Sequence, residues 1–352
     1  MEFFTLAFLG WPIWLWLAFI GVVITLLVID LGVLNRHDHQ IGVAESLRLS
    51  AFYIAMGLAF AGVIYLLYLQ TAPTDGLDPQ LMIADDATRA WRATQLYLTG
   101  FIVEKTLALD NVFVISLIFA ALAIPAHYQH RVLVWGIIGV IVLRALMIGL
   151  GATLVAHVSW ILYVFALFLI WTGISMLRKD HAPDMANNRL LGFLKRRMRV
   201  VPTLSGNRFF VRRPDAKTGR PVRHATPLMV ALIMVEIADL VFAVDSVPAI
   251  FAITADPFIV YTSNIFAILG LRALYFALAA MVHRFHYLKY ALSATLVFIG
   301  AKIFLGDLFP GGKFPAEWSL GITLALICAG IGYSLWKTRG GSEPGDPREV
   351  RG

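Results

Sequence analysis

The sequence predicts an all-α polytopic membrane protein of about nine transmembrane helices, with an inverted repeat of two three-helix units inside it. Three observations carry this reading. Apolar residues make up 59% of the 352-residue chain, against roughly 45–50% in an ordinary soluble domain. Charged residues are 14%, near half the usual share of about 25%, so a soluble fold could not hide this much apolar surface. Several uninterrupted apolar stretches exceed the about 20 helical residues that cross a bilayer core, and ionisable residues recur inside them in a pattern. A soluble enzyme, a nucleic-acid module and a disulfide-stapled secreted domain are excluded. An outer-membrane barrel is excluded too, because its strands would alternate at period 2.

Taken in order, the apolar spans are 12–34, 45–69, 94–121, 132–153, 158–177, 227–252, 258–282, 288–308 and 318–337. Trp11, Trp14, Trp160, Trp318 and Trp336 stand near span ends, where indoles anchor at the interface. The start, Met-Glu-Phe-Phe, lacks the basic region of a cleaved signal peptide, so the first span is expected to be retained. With the N-terminus outside, the segments 35–44, 122–131, 178–226 and 283–289, the tail and Arg48 hold 22 of the 29 Lys and Arg residues. The opposite side holds Arg89, Arg92 and Lys313. This asymmetry sets the C-terminus in the cytoplasm. The outer 70–93 loop is mildly acidic, with Asp75, Asp78, Asp85 and Asp86.

Residues 1–340 read as one transmembrane domain and 341–352 as a disordered cytoplasmic tail. Within the domain, the cytoplasmic loop 178–226 carries 13 Lys and Arg residues. It is expected to lean on anionic headgroups rather than bind nucleic acid. Its Arg208–Pro221 stretch reads as a short hairpin around a turn. The single cysteine, Cys328, excludes an internal disulfide and is expected to pack between helices.

Ionisable residues inside apolar spans are costly, so each is a functional candidate. Span 3 contains Glu104, Lys105, Asp110 and Asn111; span 6 contains Glu236, Asp239, Asp245 and Ser246. Aligning Glu104 on Asp239 brings Asp110 onto Asp245 and Asn111 onto Ser246. Leu143-Arg144-Ala-Leu in span 4 matches Leu271-Arg272-Ala-Leu in span 7, and Gly173 and Gly300 follow at similar distances. Spans 3–5 and 6–8 are therefore two units of three helices. Since three is odd, they cross in opposite directions, an inverted repeat of the secondary-transporter kind.

Carboxylate, amide and hydroxyl oxygens at these positions suit a hard divalent cation. The acids at membrane depth are Asp30, Glu104, Asp110, Glu236, Asp239 and Asp245, and the bases are Lys105, Arg144, Arg272 and Lys302. Two nominal negative charges remain, enough for one divalent ion or two protons. The bases are read as charge-compensating groups that lock helix packing. Six residues turn a helix by about 600°, so Glu104 and Asp110 lie roughly 120° apart and cannot both face one ion from a straight helix. Either each acid meets partners from the other unit, or the helices unwind; Pro248 points to unwinding in span 6. Buried carboxylates can trade a metal ion for protons, which makes proton antiport a workable coupling. His37, His39, His127, His130, His283 and His286 are a weaker signal for a metal entry vestibule. No His-Glu-x-x-His or P-loop is present, so an intramembrane metalloprotease and direct ATP drive are unsupported.

In these blocks the sequence resembles the TerC family, most closely its manganese-exporting Alx-like branch. The resemblance runs from Ile29-Asp30-Leu-Gly to span 8. It is carried by Thr99-Gly-Phe-Ile-Val-Glu-Lys-Thr-Leu-Ala-Leu-Asp-Asn, Tyr128-Gln-His-Arg, Phe242-Ala-Val-Asp-Ser-Val-Pro-Ala-Ile-Phe-Ala and Asp256-Pro-Phe-Ile-Val-Tyr-Thr-Ser-Asn-Ile-Phe-Ala-Ile-Leu-Gly-Leu-Arg. It implies a bacterial inner-membrane transporter that exports Mn²⁺ and has no enzyme activity or permanently bound cofactor. It also implies metal contacts at Glu104, Asp110, Glu236, Asp239 and Asp245, with Asn111 and Ser246 beside them. The alternative is a non-transporting membrane component of tellurium resistance or envelope stress. A membrane redox enzyme is disfavoured by the lone cysteine.

Overall fold

The computed structural model describes residues 7–29, 43–71, 78, 81–82, 85–158, 160–178, 198–201, 203–214, 221–279, 288–306, 308–309 and 314–338. They form a bundle of ten helices. In order these are α1 (Ile13–Val28), α2 (Val43–Gln70), α3 (Asp86–Ala121), α4 (Ala126–His157), α5 (Ile161–Arg178), α6 (Pro227–Ile253), α7 (Pro257–Ile268), α8 (Leu271–Ala279), α9 (Leu288–Gly306) and α10 (Ala316–Thr338). Each apolar stretch coincides with a helix, the seventh with two. Five helical stretches, Ala44–Gln70, Ala126–His157, Pro227–Ile253, Pro257–Ala277 and Ala316–Ser334, are long and apolar enough to cross a membrane. The chain is an all-α multi-pass membrane protein.

The bundle is built around the seventh stretch. Every residue of α7 except Tyr261 is buried, whereas α2 and α10 turn most of their apolar side chains outward. Outward apolar side chains face lipid, which asks for no polar cover. The break between α7 and α8 falls at Leu269 and Gly270, with Gly270 at φ +80°. A Cβ there would stand 2.6 Å from Tyr53 Cβ, so both backbone and space require glycine. Carbonyls freed by a break at membrane depth must find donors within the protein. Lys105 supplies them, bonding Ala267 O at 3.0 Å and Leu269 O at 3.3 Å. The expected unwinding lies here and not in span 6: α6 is helical straight through Pro248, because a proline removes a single backbone donor that a packed helix can spare.

Helices α5 and α9 pack closely along one another. A Cβ on Gly173 would come within 2.8 Å of Ser293 O and of Val297 Cγ2, and one on Gly300 within 2.6 Å of Ala166 O and 2.9 Å of Ile170 Cγ1. The contact is reciprocal: Gly173 and Gly300, Ala166 and Ser293, and Ile170 and Val297 are each 127 residues apart. Ser293 also donates to Gly173 O at 2.5 Å. The cross pairs α3 with α7 and α4 with α6 are both extensive.

The basic loop contributes an antiparallel hairpin of β1 (Phe210–Pro214) and β2 (Pro221–Ala225), with Phe210 opposite Ala225 and Pro214 opposite Pro221. Arg131 of α4 lies 5.3 Å over the Phe209 ring and ties the hairpin to the bundle. Cys328 departs from expectation. It is exposed on α10, because α10 packs edge-on against α9 and α3 and leaves that face to lipid. The tail 341–352 lies outside the described residues.

Candidate functional site

Arg144, 1% exposed, stands midway along α4 with polar groups from three other helices around it. Its Nη1 donates to Glu104 Oε1 of α3. Its Nη2 and Nε donate to the two carboxylate oxygens of Asp239 of α6, at 3.2 and 3.4 Å. Nη1 further reaches Ser246 Oγ at 3.0 Å and Asn264 Oδ1 of α7 at 3.1 Å. Asn111 Nδ2 of α3 donates to Asp239 Oδ1 at 3.4 Å. All of these side chains are buried, Glu104 at 2% and Asp239 at 4% exposure. A buried charge persists only when paired and hydrogen-bonded, and here one guanidinium serves two carboxylates.

Helical periodicity explains which residues meet. Asn111 follows Glu104 by seven residues and Ser246 follows Asp239 by seven. Seven residues turn a helix by about 700°, so each acid shares a face with its neutral partner. The two faces meet across the α3–α6 contact. Of the two alternatives open in the sequence, partnership between helices describes Glu104 and Asp239, which meet at Arg144. Asp110 and Asp245 come one residue earlier, about 120° round their helices; their side chains, and all of Asp30, lie outside the described residues.

Glu236 lies one turn before Asp239 on α6. Its carboxylate lies over Gly139 of α4, in the space a Cβ there would take. Glu236 Oε2 is buried without a hydrogen-bond partner among the described residues, as is Asn111 Oδ1. Beside Asn111 and Asp239, Ile115, Val140, Phe242 and Leu271 wall a cavity of about 10 Å³, room for about one water.

The remaining bases do not touch the cluster through the bonds described. Lys105 serves the helix break. Arg272 donates to His130 Nε2 at 2.8 Å, and Lys302 donates to Ser319 Oγ of α10 at 3.1 Å. Among the described residues no three His, Cys, Asp or Glu side chains converge as a ready-made metal cage. Of the histidines in the expected vestibule, His37, His39, His283 and His286 lie outside the described residues. The residue that sequence reasoning missed is Asn264. Its signal was an amide inside an apolar span, within Thr262-Ser263-Asn264.

Chemically, the arrangement offers two carboxylates, two amides and a hydroxyl in a dry, four-helix pocket, with one guanidinium at its centre. Comparison with known proteins places the chain in a family. Residues 89–342 match the integral membrane protein TerC family. An uncharacterized membrane protein of Myxococcus xanthus is 42% identical over 327 residues, 92% of this chain and 93% of its own. An uncharacterized membrane protein of Rickettsia bellii is 44% identical over 321 residues, 91% of this chain and 96% of its own. The Escherichia coli K12 protein named "Putative membrane-bound redox modulator Alx" is 40% identical over 340 residues, 94% of this chain and 99% of its own. No solved structure matches. With a family model covering most of the chain and relatives aligned almost end to end, the chain belongs to the TerC family of integral membrane proteins.

Proposed function

We propose that the protein exports a divalent metal ion, Mn²⁺, from the cytoplasm through the pocket around Arg144, in exchange for protons. One observation carries the reading: Glu104 and Asp239, from corresponding places in two helices, are buried together with Asn111, Ser246 and Asn264 at membrane depth. Ionisable groups there are costly and mark ion pathways. The donors are all oxygen or amide, which Mn²⁺ accepts. The two carboxylate charges match one divalent ion.

Arg144 holds the place a cation would take and offsets one of the two carboxylate charges. An arriving ion competes with the guanidinium for both carboxylates, and release of the ion lets Arg144 return. Discontinuous helices near the midplane are a transporter feature, and the α7–α8 break lies beside the pocket in sequence and fold. The reciprocal α5–α9 contact supports two inverted units between which the ion crosses. The topology is N-terminus outside and C-terminus inside, in the bacterial inner membrane, with the basic hairpin resting on anionic headgroups.

A second reading is favoured by the same clamp: Arg144 already satisfies both acids, as a structural lock would. The protein is then a non-transporting TerC-type component of stress or tellurium resistance. The redox-modulator name of the Escherichia coli relative finds no dithiol here, since Cys328 stands alone in the chain. Inside-out vesicles decide between the readings. Export predicts manganese uptake by the wild type and its loss in Glu104→Gln and Asp239→Asn at equal protein level. A lock predicts that no variant differs from empty vesicles.

A further inference from the structure

A second polar group is buried well away from Arg144, where α2, α6 and α7 end. Asp256, 3% exposed, caps α7: its Oδ1 accepts the backbone N–H of Phe258 at 2.9 Å and of Ile259 at 3.1 Å. Asp78, also 3% exposed, accepts from Thr254 Oγ1 at 2.6 Å and from the Ala255 N–H at 3.1 Å. Thr254 Oγ1 in turn accepts the Asp256 N–H at 3.2 Å, so one short corner holds both carboxyls. Tyr68 of α2 is wholly buried, and its hydroxyl lies against the Asp256 carboxyl and the Trp11 indole. Trp11 closes the corner, its ring 4.8 Å from that of Tyr68 and its Nε1 buried. The neighbouring cation, Arg89 of α3, spends its bonds on Tyr68 O at 3.0 Å and on Asp86 at 2.6 Å. Tyr261, the other ionisable group of α7, points away to Ala145 O at 2.7 Å.

Two carboxylates removed from water side by side repel each other and lose solvation unless something compensates them. A divalent ion would need several more free oxygens than this corner offers, since backbone and hydroxyl donors already hold one oxygen of each acid. A single proton fits. It would let the Asp256 carboxyl donate to the Tyr68 hydroxyl beside it.

We propose that Asp256 is a proton-binding site at the outer end of the protein, with Tyr68 as its hydrogen-bond partner and Asp78 as the charge that favours uptake. It rests on the export reading, for which it supplies the outward face of proton exchange. The proton comes from external water and adds to the carboxylate oxygen; nothing is oxidised or reduced. Burial, with the Asp78 charge adding to it, pushes the Asp256 carboxyl up to about 6, within reach of ordinary external pH.

The test uses the full-length protein reconstituted in vesicles, as wild type, Asp256→Asn and Tyr68→Phe. Asparagine can still accept from the Phe258 and Ile259 N–H groups, so the cap survives the first change. Infrared titration of the wild type is expected to show a protonated-carboxyl band appearing as pH falls through about 6. The band should be lost in Asp256→Asn and shifted in Tyr68→Phe. Manganese movement into inside-out vesicles should depend on lumenal pH in the wild type and lose that dependence in Asp256→Asn. An unchanged band in Asp256→Asn overturns the site. Retention of the lumenal pH response by that variant overturns its coupling role. Wild-type vesicles that move no manganese at any pH, while the band still titrates and vanishes with Asp256, would sink the export reading and leave the proton site standing.

Discussion

Arg144 is the side chain whose loss should cost most, because Glu104 and Asp239 would be left buried and unpaired. Breaking a buried pair from one side costs about 3–5 kcal/mol. Arg144→Met is therefore expected to unfold at markedly lower temperature in detergent, and Arg144→Met with Glu104→Gln and Asp239→Asn to recover most of the loss. If the triple variant is as unstable as the single one, charge pairing is not what Arg144 supplies. A pH effect follows from Asp256, whose carboxyl is held up to about 6 by burial. Its native form binds a proton more tightly than the unfolded chain, so its contribution is present at low pH and is lost as pH rises through about 6. Thermal unfolding across that range should show less pH dependence in Asp256→Asn than in the wild type. Much of the Arg144 pocket was legible in the sequence, since charge inside an apolar span announces itself. Asn264 was not, because a neutral amide costs far less there and stands out far less.

At the scale of elements, span positions were readable because a bilayer demands continuous apolar length. The break in the seventh span was not. No proline marks it, and what permits it is tertiary: Lys105, distant in sequence, reaches the carbonyls of Ala267 and Leu269. Pro248, the visible signal, sits in an unbroken helix. Leaving two buried carbonyls without donors costs about 1–3 kcal/mol each. Lys105→Met should lower stability by about that amount, and hydrogen exchange should rise at Ala267–Leu271 before it rises elsewhere. Exchange unchanged at the break would mean the carbonyls have other donors. At the α5–α9 contact, Gly300→Leu places a side chain against Ala166 O, 2.6 Å from where its Cβ begins. It should reduce folded protein in the membrane more than Gly321→Leu, where nothing lies within 4 Å.

For the whole molecule, the order of charges along the chain predicts an orientation that packing alone cannot, because a helix bundle reads the same from either side. A phosphatase reporter that works only outside the cytoplasm should be inactive when fused after Thr338 and active in the 70–93 loop. The reverse pattern would invert the topology and turn the proton site inward. The central claim is that ions leave the cell through the carboxylates that Arg144 holds. Manganese content, measured by elemental analysis in exporter-deficient bacteria under manganese load, tests it most directly. Wild type, Asp239→Asn, Asp245→Asn and empty vector are compared at equal membrane levels. Low manganese is expected with the wild type and vector-like manganese with Asp239→Asn. Export undiminished by Asp239→Asn would contradict that claim, and so would a wild type no different from the vector.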